Sequence, residues 1–215
     1  MRPELRTFLL ACLIGVAILL GACGRAPKHS PLPAGSVVLA IGDSVTFGTG
    51  AAPGEDYPTQ LASLTGWAIH NHGIPGDTSS GVKARIDESL AETKPALVIL
   101  EIGGNDFLRR QPEAATKENV RTILQRIKQA AIPVVLVSTP KFSPLGAAVG
   151  MLPDSPIYEE LAKEENVPLV PSVFAKVLDD PGLKSDPIHP NAAGYRKLAE
   201  GIAAGLADFG FLAKK

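Results

Sequence analysis

The stretch Val37-Val38-Leu39-Ala40-Ile41-Gly42-Asp43-Ser44 places an apolar, partly β-branched run directly before a glycine, an acid and a serine. A short apolar run that ends at such residues predicts a buried strand over residues 37–41. In an open parallel sheet, reactive groups collect where the strands end at their carboxyl edge. Ser44, just beyond the predicted strand, is therefore a candidate functional residue.

Similar short runs alternate with longer amphipathic segments along the rest of the chain, which predicts a mainly parallel sheet covered by helices on both faces. The further strands are predicted at 67–71, 97–102, 134–138 and 168–170. Helices are predicted at 57–64, 82–92, 112–131, 156–165 and 192–207, with Asn191 as the N-cap of the last. Residues 36–215 therefore form one predicted α/β domain.

Composition limits the class of partner. The chain has 215 residues, is 45% hydrophobic and carries a formal net charge of −1. This length and hydrophobic content suit one domain with a substantial core. No basic run is present to neutralise phosphates, which argues against a nucleic-acid partner.

The first residues have the features of a secretion signal. Arg2 and Arg6 precede an uncharged apolar stretch over residues 8–20, which is too short to span a bilayer comfortably. The following Leu20-Gly21-Ala22-Cys23 resembles the lipobox of bacterial lipoproteins. That resemblance implies that residues 1–22 are removed and that Cys23 carries lipid. The alternative is an ordinary cleaved signal with an incidental cysteine.

Residues 24–35 contain several prolines and no apolar period, which predicts an extended tether between the lipidated Cys23 and the domain. The expected location is the bacterial cell envelope, anchored to a membrane through the N-terminal lipid. Gly24 after the cysteine, by resemblance to lipoprotein sorting, favours the periplasmic face of an outer membrane. Cys12 leaves with the signal, so the domain keeps no thiol for a disulfide, a metal or catalysis.

A second candidate segment is Asp186-Pro187-Ile188-His189-Pro190, far from Ser44 in the sequence. Nucleophilic acyl transfer needs a hydroxyl, a base that removes its proton and a group that orients the base. Ser44 is the predicted nucleophile, His189 the base and Asp186 the residue that orients it. The flanking prolines stiffen the turn that carries the imidazole.

Two further turns follow predicted strands and carry hydrogen-bond donors. They are Gly73-Ile74-Pro75-Gly76-Asp77-Thr78 and Gly103-Gly104-Asn105-Asp106. An acyl-transfer site needs donors for the developing oxyanion. The predicted donors are the backbone N–H groups of Ser44 and Gly76 and the side-chain amide of Asn105.

Taken in order, Gly42-Asp43-Ser44, these two turns and Asp186-x-x-His189 resemble the four blocks of the SGNH or GDSL hydrolases. Within that family the chain is most similar to the bacterial arylesterase and thioesterase/lysophospholipase group. The resemblance implies a flavodoxin-like three-layer α/β/α fold with a five-stranded sheet, the catalytic roles given above, and no cofactor. It implies a small-molecule or lipid ester as substrate, including thioesters and lysophospholipids.

Several alternatives remain at this point. The same site could remove acetyl groups from envelope carbohydrates, and an anchored binding module with a disabled site belongs to another class. Gly48-Thr49-Gly50 hints at dinucleotide binding, although Pro53 stands where the third glycine is needed. His70 and His72 share a strand face and could bind a metal with Asp77, although packed strand residues are the commoner explanation.

The loop over residues 141–156 follows the fourth predicted strand at the reactive edge. It holds apolar residues among prolines and glycines, including Phe142, Leu145, Met151 and Leu152. Apolar side chains in a turn-rich loop are costly when solvated. They are predicted either to line an acyl pocket or to pack on the core.

Overall fold

The computed structural model describes residues 29–141 and 152–213 and is built around one sheet of five parallel strands. The strands are β1 Val37–Gly42, β2 Ala68–Gly73, β3 Leu97–Glu101, β4 Val134–Val137 and β5 Leu169–Val170. They lie side by side in the order β2-β1-β3-β4-β5. From β1 the chain passes first to β2 on one side and then to β3 on the other side, so the strand order reverses next to β1. In sheets of this topology, ligands bind where the strand order reverses.

Helices surround the sheet on both faces. Those of the described residues are α1 Ser44–Phe47, α2 Tyr57–Thr65, α3 Ser79–Thr93, α4 Gly104–Leu108, α5 Glu113–Gln129, α6 Ile157–Glu165, α7 Val173–Asp179 and α8 Ala192–Phe209. A single turn of 3-10 helix, Pro181–Leu183, precedes α8. No helix within residues 29–141 and 152–213 is long and apolar enough to cross a membrane.

Alternate residues of the central strands face opposite sides of the sheet and produce two separate cores. Val38 and Ala40 of β1 pack with side chains of α2, α7 and α8. Leu39 and Ile41 pack with side chains of α3, α5 and α6. Because both faces are covered, the central strands read as continuous apolar runs rather than alternating ones. The three-layer α/β/α prediction is confirmed.

The longer predicted helices and all five strands lie close to their expected positions, but α1, α4 and α7 were not predicted. These helices have 4, 5 and 7 residues, too few for an amphipathic period to be visible. Helix α3 begins at Ser79, earlier than the expected residue 82. Its N-cap is Thr78, whose hydroxyl accepts a hydrogen bond from Gly81 N–H.

Residues 29–35, which the sequence analysis assigns to a tether, pack on the domain. His29 N–H donates to the Phe209 carbonyl and Leu32 N–H donates to the Phe211 carbonyl, each at 2.9 Å. The Leu32 carbonyl accepts from Trp67 Nε1 at 3.4 Å, and the Leu32 side chain packs against the core. Only residues 24–28 of the predicted tether lie outside this packed segment, and they are outside the described residues.

Candidate active site

Ser44 is the first residue of α1, directly beyond the end of β1. Asp43 caps this helix, and its Oδ1 accepts from Val45 N–H at 3.0 Å. Gly42 lets β1 and β3 approach closely, since a Cβ there would lie 2.1 Å from the carbonyl oxygen of Glu101. The strand end therefore holds Ser44 at the centre of the carboxyl edge.

The loop before α8 brings His189 and Asp186 to Ser44. His189 Nε2 lies 2.9 Å from Ser44 Oγ, and His189 Nδ1 lies 2.7 Å from Asp186 Oδ2. In the tautomer with its proton on Nδ1, the imidazole donates to Asp186 and accepts from Ser44. The three residues singled out from the sequence form one continuous hydrogen-bonded chain.

Asp186 is held in place by the backbone as well as by the imidazole. Its Oδ1 accepts from the N–H groups of Ile188 and His189, each at 2.8 Å. Partial burial raises the pKa of the Asp186 carboxyl, but the bonds from His189 and from the two backbone N–H groups outweigh it and hold this pKa below its ordinary value. The carboxylate is therefore ionised at neutral pH.

The predicted oxyanion donors lie on the neighbouring turns. Asn105 belongs to α4, and its Nδ2 donates to the Asp77 carbonyl at 2.9 Å and to Asp43 Oδ2 at 3.3 Å. Gly76, in the turn after β2, has a φ of +81°, which glycine adopts readily. Arg109, at the end of α4, donates to the Gly76 carbonyl at 2.8 Å and so joins the two turns.

Other polar residues of the motifs hold these turns together. Asp77 Oδ2 accepts from Arg85 Nε at 2.9 Å, and Arg85 Nη2 donates to the Gly42 carbonyl at 3.0 Å. Asp106 is buried and accepts from the N–H and hydroxyl of Ser79, at 2.9 and 2.6 Å. The acidic residues of the second and third turns are thus occupied in fixing the loops around Ser44.

Sequence reasoning missed a buried carboxyl group beside the site. Glu101 ends β3 and is only 1% exposed. Its Oε1 accepts from Thr139 Oγ1 at 3.1 Å and its Oε2 from Thr46 Oγ1 at 3.3 Å. Burial raises the pKa of Glu101 well above its ordinary value, and raises the pKa of Asp43 to about 6. The available signal was an acid at the end of an otherwise wholly apolar strand.

The other sites considered from the sequence have different surroundings. His72 Nδ1 lies 3.2 Å from Ser89 Oγ, while Asp77 is paired with Arg85. Residues 29–141 and 152–213 contain no group of three or more His, Cys, Asp or Glu side chains that could hold a metal ion. Gly50 packs under the loop that carries His189, since a Cβ at Gly50 would lie 2.6 Å from the Pro190 carbonyl.

A cavity of about 40 Å³ opens beside Ser44 and His189. Its wall also includes Asp43, Glu101 and Thr139. The apolar part of the wall comes from several different loops and helices and consists of Val45, Leu108, Pro140, Phe174, Leu178 and Ile188. A mainly apolar cavity that meets the nucleophile can bury the acyl part of an ester.

One of the four predicted pocket residues, Leu152, is among the described residues. Leu152 does not line this cavity. It is 3% exposed in the core cluster that contains Phe174 and Leu178, and its N–H donates to Asp179 Oδ1 at 3.0 Å. Three other residues of the predicted pocket, Phe142, Leu145 and Met151, lie outside the described residues. Helix α7, which sequence analysis did not predict, supplies Phe174 and Leu178 to the cavity instead.

Fold and site together define an α/β hydrolytic enzyme whose serine follows the first strand of a parallel sheet. The model of the GDSL-like lipase/acylhydrolase family matches residues 40–197, and the chain belongs to this family. It is a carboxylic ester hydrolase.

Three relatives of this chain are named for different ester-hydrolysing activities. Esterase TesA of Pseudomonas aeruginosa is 30% identical, over 86% of this chain and 95% of its own length. Thioesterase 1/protease 1/lysophospholipase L1 of Escherichia coli K12 is 32% identical, over 80% of this chain and 84% of its own length. An acetylxylan esterase of Geobacillus stearothermophilus is 26% identical, over 82% of this chain and 95% of its own length.

A comparison with solved structures finds similar folds among related esterases. A crystal structure of TesA superposes with a TM-score of 0.71 at 29% identity, and the match covers 80% of this chain and 99% of that one.

Proposed function

We propose that the protein hydrolyses carboxylic esters through an acyl-enzyme on Ser44, with His189 as general base and Asp186 as the residue that orients it. The observation that carries this proposal is the chain of contacts from Ser44 Oγ to His189 Nε2 at 2.9 Å and from His189 Nδ1 to Asp186 at 2.7 Å. A serine hydroxyl is a weak nucleophile unless an adjacent base removes its proton.

In the first half-reaction His189 Nε2 takes the Ser44 proton as Oγ attacks the carbonyl carbon. The tetrahedral intermediate collapses when the imidazolium protonates the leaving alcohol or thiol, which leaves an acyl group on Ser44. In the second half-reaction His189 takes a proton from water as the water oxygen attacks the acyl carbon. The second tetrahedral intermediate collapses when the imidazolium returns the proton to Ser44 Oγ, which breaks the bond between the acyl carbon and Oγ and releases the carboxylic acid. The ionised Asp186 stabilises the imidazolium in both halves.

The oxyanion donors proposed are the N–H groups of Ser44 and Gly76 and the amide of Asn105. Both side-chain hydrogens of Asn105 have partners, at 2.9 Å to the Asp77 carbonyl and 3.3 Å to Asp43. The longer bond is the weaker one, and it is the one that yields when an oxyanion forms. The bond to Asp77 then keeps the amide aimed at the intermediate, which is what preorganisation requires.

The cavity indicates which acyl groups fit. Its 40 Å³ in the described part of the chain has room for roughly three water-sized groups. Such a volume suits an acetyl or other short acyl group, and its apolar wall disfavours a charged one. Thioesters and lysophospholipids, which the name of the Escherichia coli relative includes, are further substrates of the same chemistry.

A carbohydrate O-deacetylase is the second candidate function. The acetylxylan esterase relative supports it, and so does a cavity that suits an acetyl group. The chemistry at Ser44 is the same, and only the leaving group differs. The protein is further proposed to be an envelope lipoprotein, released from its signal after residue 22 and anchored through Cys23. The basic and apolar N-terminus and the lipobox-like Leu20-Gly21-Ala22-Cys23 support this anchoring.

Ser44→Ala, compared with Ser63→Ala on the exposed surface of α2, tests the nucleophile. Hydrolysis of p-nitrophenyl acetate, butyrate and octanoate should fall by at least about 10³-fold in Ser44→Ala and stay unchanged in Ser63→Ala. Retention of more than about a tenth of kcat/KM would remove Ser44 from the mechanism. Acetate release from acetylated xylan, as efficient as from the aryl ester, would favour the deacetylase.

A further inference from the structure

We propose that the N-terminal anchor holds the catalytic opening on the side of the domain that faces away from the anchoring membrane. The enzyme then acts on water-soluble or cell-wall-borne esters, and not on acyl lipids of the leaflet that carries its own anchor. This inference rests on the proposed function and on lipidation of Cys23, and it narrows the substrate class of the same site.

The packed N-terminal segment, residues 29–35, is fixed to the domain by several independent contacts. The His29 ring stacks on Phe211 with centroids 4.0 Å apart, in addition to the backbone bonds from His29 and Leu32 to the end of α8. Gly35 N–H donates to the Gly66 carbonyl at 2.8 Å, just before β2. The point where the chain leaves the domain towards Cys23 is therefore set by the fold.

This exit point lies at the amino edge of the sheet, opposite the catalytic edge. Gly35 and Gly66 precede β1 and β2, whereas Ser44 follows β1. Helix α8 begins beside the loop that carries His189 and returns along the sheet for 18 residues, about 27 Å, to Phe209. His29 is bonded to that far end, so the length of α8 separates the exit point from the catalytic opening.

The chain outside the packed segment is too short to reverse this orientation. Cys23 and His29 are joined by residues 24–28, whose full extension reaches about 20 Å. That reach is less than the length of α8, before any path around the domain is added. The domain therefore cannot stand fully inverted, with the catalytic opening directly beneath the exit point. The orientation that the short tether favours has the amino edge next to the membrane and the opening at Ser44 directed away from it.

The alternative is that the catalytic edge itself rests on the membrane. Phe47, Ile74 and Leu108 are exposed apolar residues that follow β1, β2 and β3, at 55%, 47% and 40%. A patch of this kind could contact lipid or an apolar substrate. In the orientation that the short tether favours, these residues are directed away from the anchoring leaflet, and we assign them to contact with the substrate.

Fluorophores attached at two matched positions test the orientation. Ser30→Cys lies in the packed segment and Ser80→Cys in the first turn of α3 at the catalytic edge, and both positions are exposed. The mature chain with a lipidated Cys23 has no other free thiol. The full-length lipoprotein is placed in phosphatidylethanolamine/phosphatidylglycerol vesicles that contain lipids with nitroxide headgroups.

Quenching at position 30 should exceed quenching at position 80 by at least about five-fold, because α8 separates the two edges by its length. Equal quenching, or stronger quenching at position 80, would overturn the orientation. Cys23→Ser should abolish quenching at both positions. An unmodified Cys23 in the mass spectrum would also overturn the proposal, and it would leave hydrolysis of soluble p-nitrophenyl acetate intact. Loss of that hydrolysis instead would mark a failure of the proposed function.

A longer tether provides the matching activity test. About 30 Gly/Ser residues inserted after Lys28 add roughly 30 Å of average reach, enough for the domain to turn over. Hydrolysis of a lysophospholipid in the same vesicles should rise at least about ten-fold in this variant, and should not rise when the same insertion follows Ala213. Equal rates in the native and lengthened proteins, with both cleaving the lipid, would contradict the orientation.

Discussion

At the scale of single residues, the site combines one carboxylate whose pKa is lowered with two carboxyls whose pKa values are raised. Asp186 accepts three hydrogen bonds and has a lowered pKa. Asp43 and Glu101, both buried along the cavity wall, have raised pKa values. Environments that push carboxyl pKa values apart are typical of catalytic sites. Asp186, with the lowered pKa, faces the imidazole, and the two others lie along the wall of the cavity.

Glu101→Gln should reveal the energetic effect of burying this carboxyl. The native protein keeps the Glu101 proton at pH values where the unfolded chain has released it, so wild-type stability falls as pH rises above the ordinary value of 4.5. Glu101→Gln removes the titratable group, so the stability of the variant does not fall with pH for this reason. Its stability relative to the wild type should therefore increase by up to about 1.4 kcal/mol per pH unit until the native group ionises.

Urea unfolding of both proteins between pH 5 and pH 8 measures this difference. Glu88→Gln, on the exposed surface of α3, controls for the change in net charge. If the stability curves of wild type and Glu101→Gln run parallel across this range, Glu101 is ionised in the native protein throughout it.

At the scale of elements, the site depends on how the loop before α8 packs against the loop after α1. Gly50 lies at this contact with a φ of +98°, and a Cβ there would be 2.1 Å from Ser185 Oγ and 2.6 Å from the Pro190 carbonyl. Ser185 and Pro190 flank the turn that carries Asp186 and His189. The position of the imidazole is therefore set by packing between two loops.

Gly50→Ala should displace this turn and lower kcat/KM by at least about ten-fold, because small errors in the position of a catalytic group are costly. Gly54→Ala is a matched control, since Gly54 has a φ of +87° but nothing lies within 4 Å of a Cβ there. Both variants should lose about 1 to 2 kcal/mol of stability from strain at a positive φ. Thermal melts and esterase kinetics on both variants separate the two effects, and equal activity losses would show that strain alone is responsible.

At the scale of the whole molecule, the packed segment 29–35 completes the amino edge of the domain. It caps the end of α8 and covers Trp67, the only tryptophan of the chain, which is 4% exposed. The segment is thus part of the folded domain.

A chain that begins at Ser36 should be less stable by about 2 kcal/mol than one that begins at His29, since it loses backbone hydrogen bonds and the burial of Leu32. Its Trp67 emission should shift to the red, because Trp67 Nε1 loses its bond to the Leu32 carbonyl and gains solvent. Chemical unfolding and fluorescence spectra measure both changes. Identical spectra and midpoints would mean that the segment contributes nothing to the fold.

Much of this architecture could be predicted from the sequence because the relevant signals are local. A buried parallel strand needs a continuous apolar run, a long helix needs a 3.6-residue period, and each is visible within a few residues. The motifs around Ser44 and Asn105 follow such runs, so they were placed at one edge of the sheet before any distance was known. The family resemblance then agreed with the layers and strands that the pattern predicts.

Other features depended on contacts between residues far apart in the sequence, and only the tertiary structure decided them. The raised pKa of Glu101 arises from burial, which outweighs the hydrogen bonds that its carboxyl accepts from Thr46 of α1 and from Thr139. The cavity wall comes partly from α7, a helix too short to show a period. His29 and Phe209 are hydrogen-bonded although they lie at opposite ends of the domain sequence. No local pattern encodes such proximity, because it results from packing the complete chain.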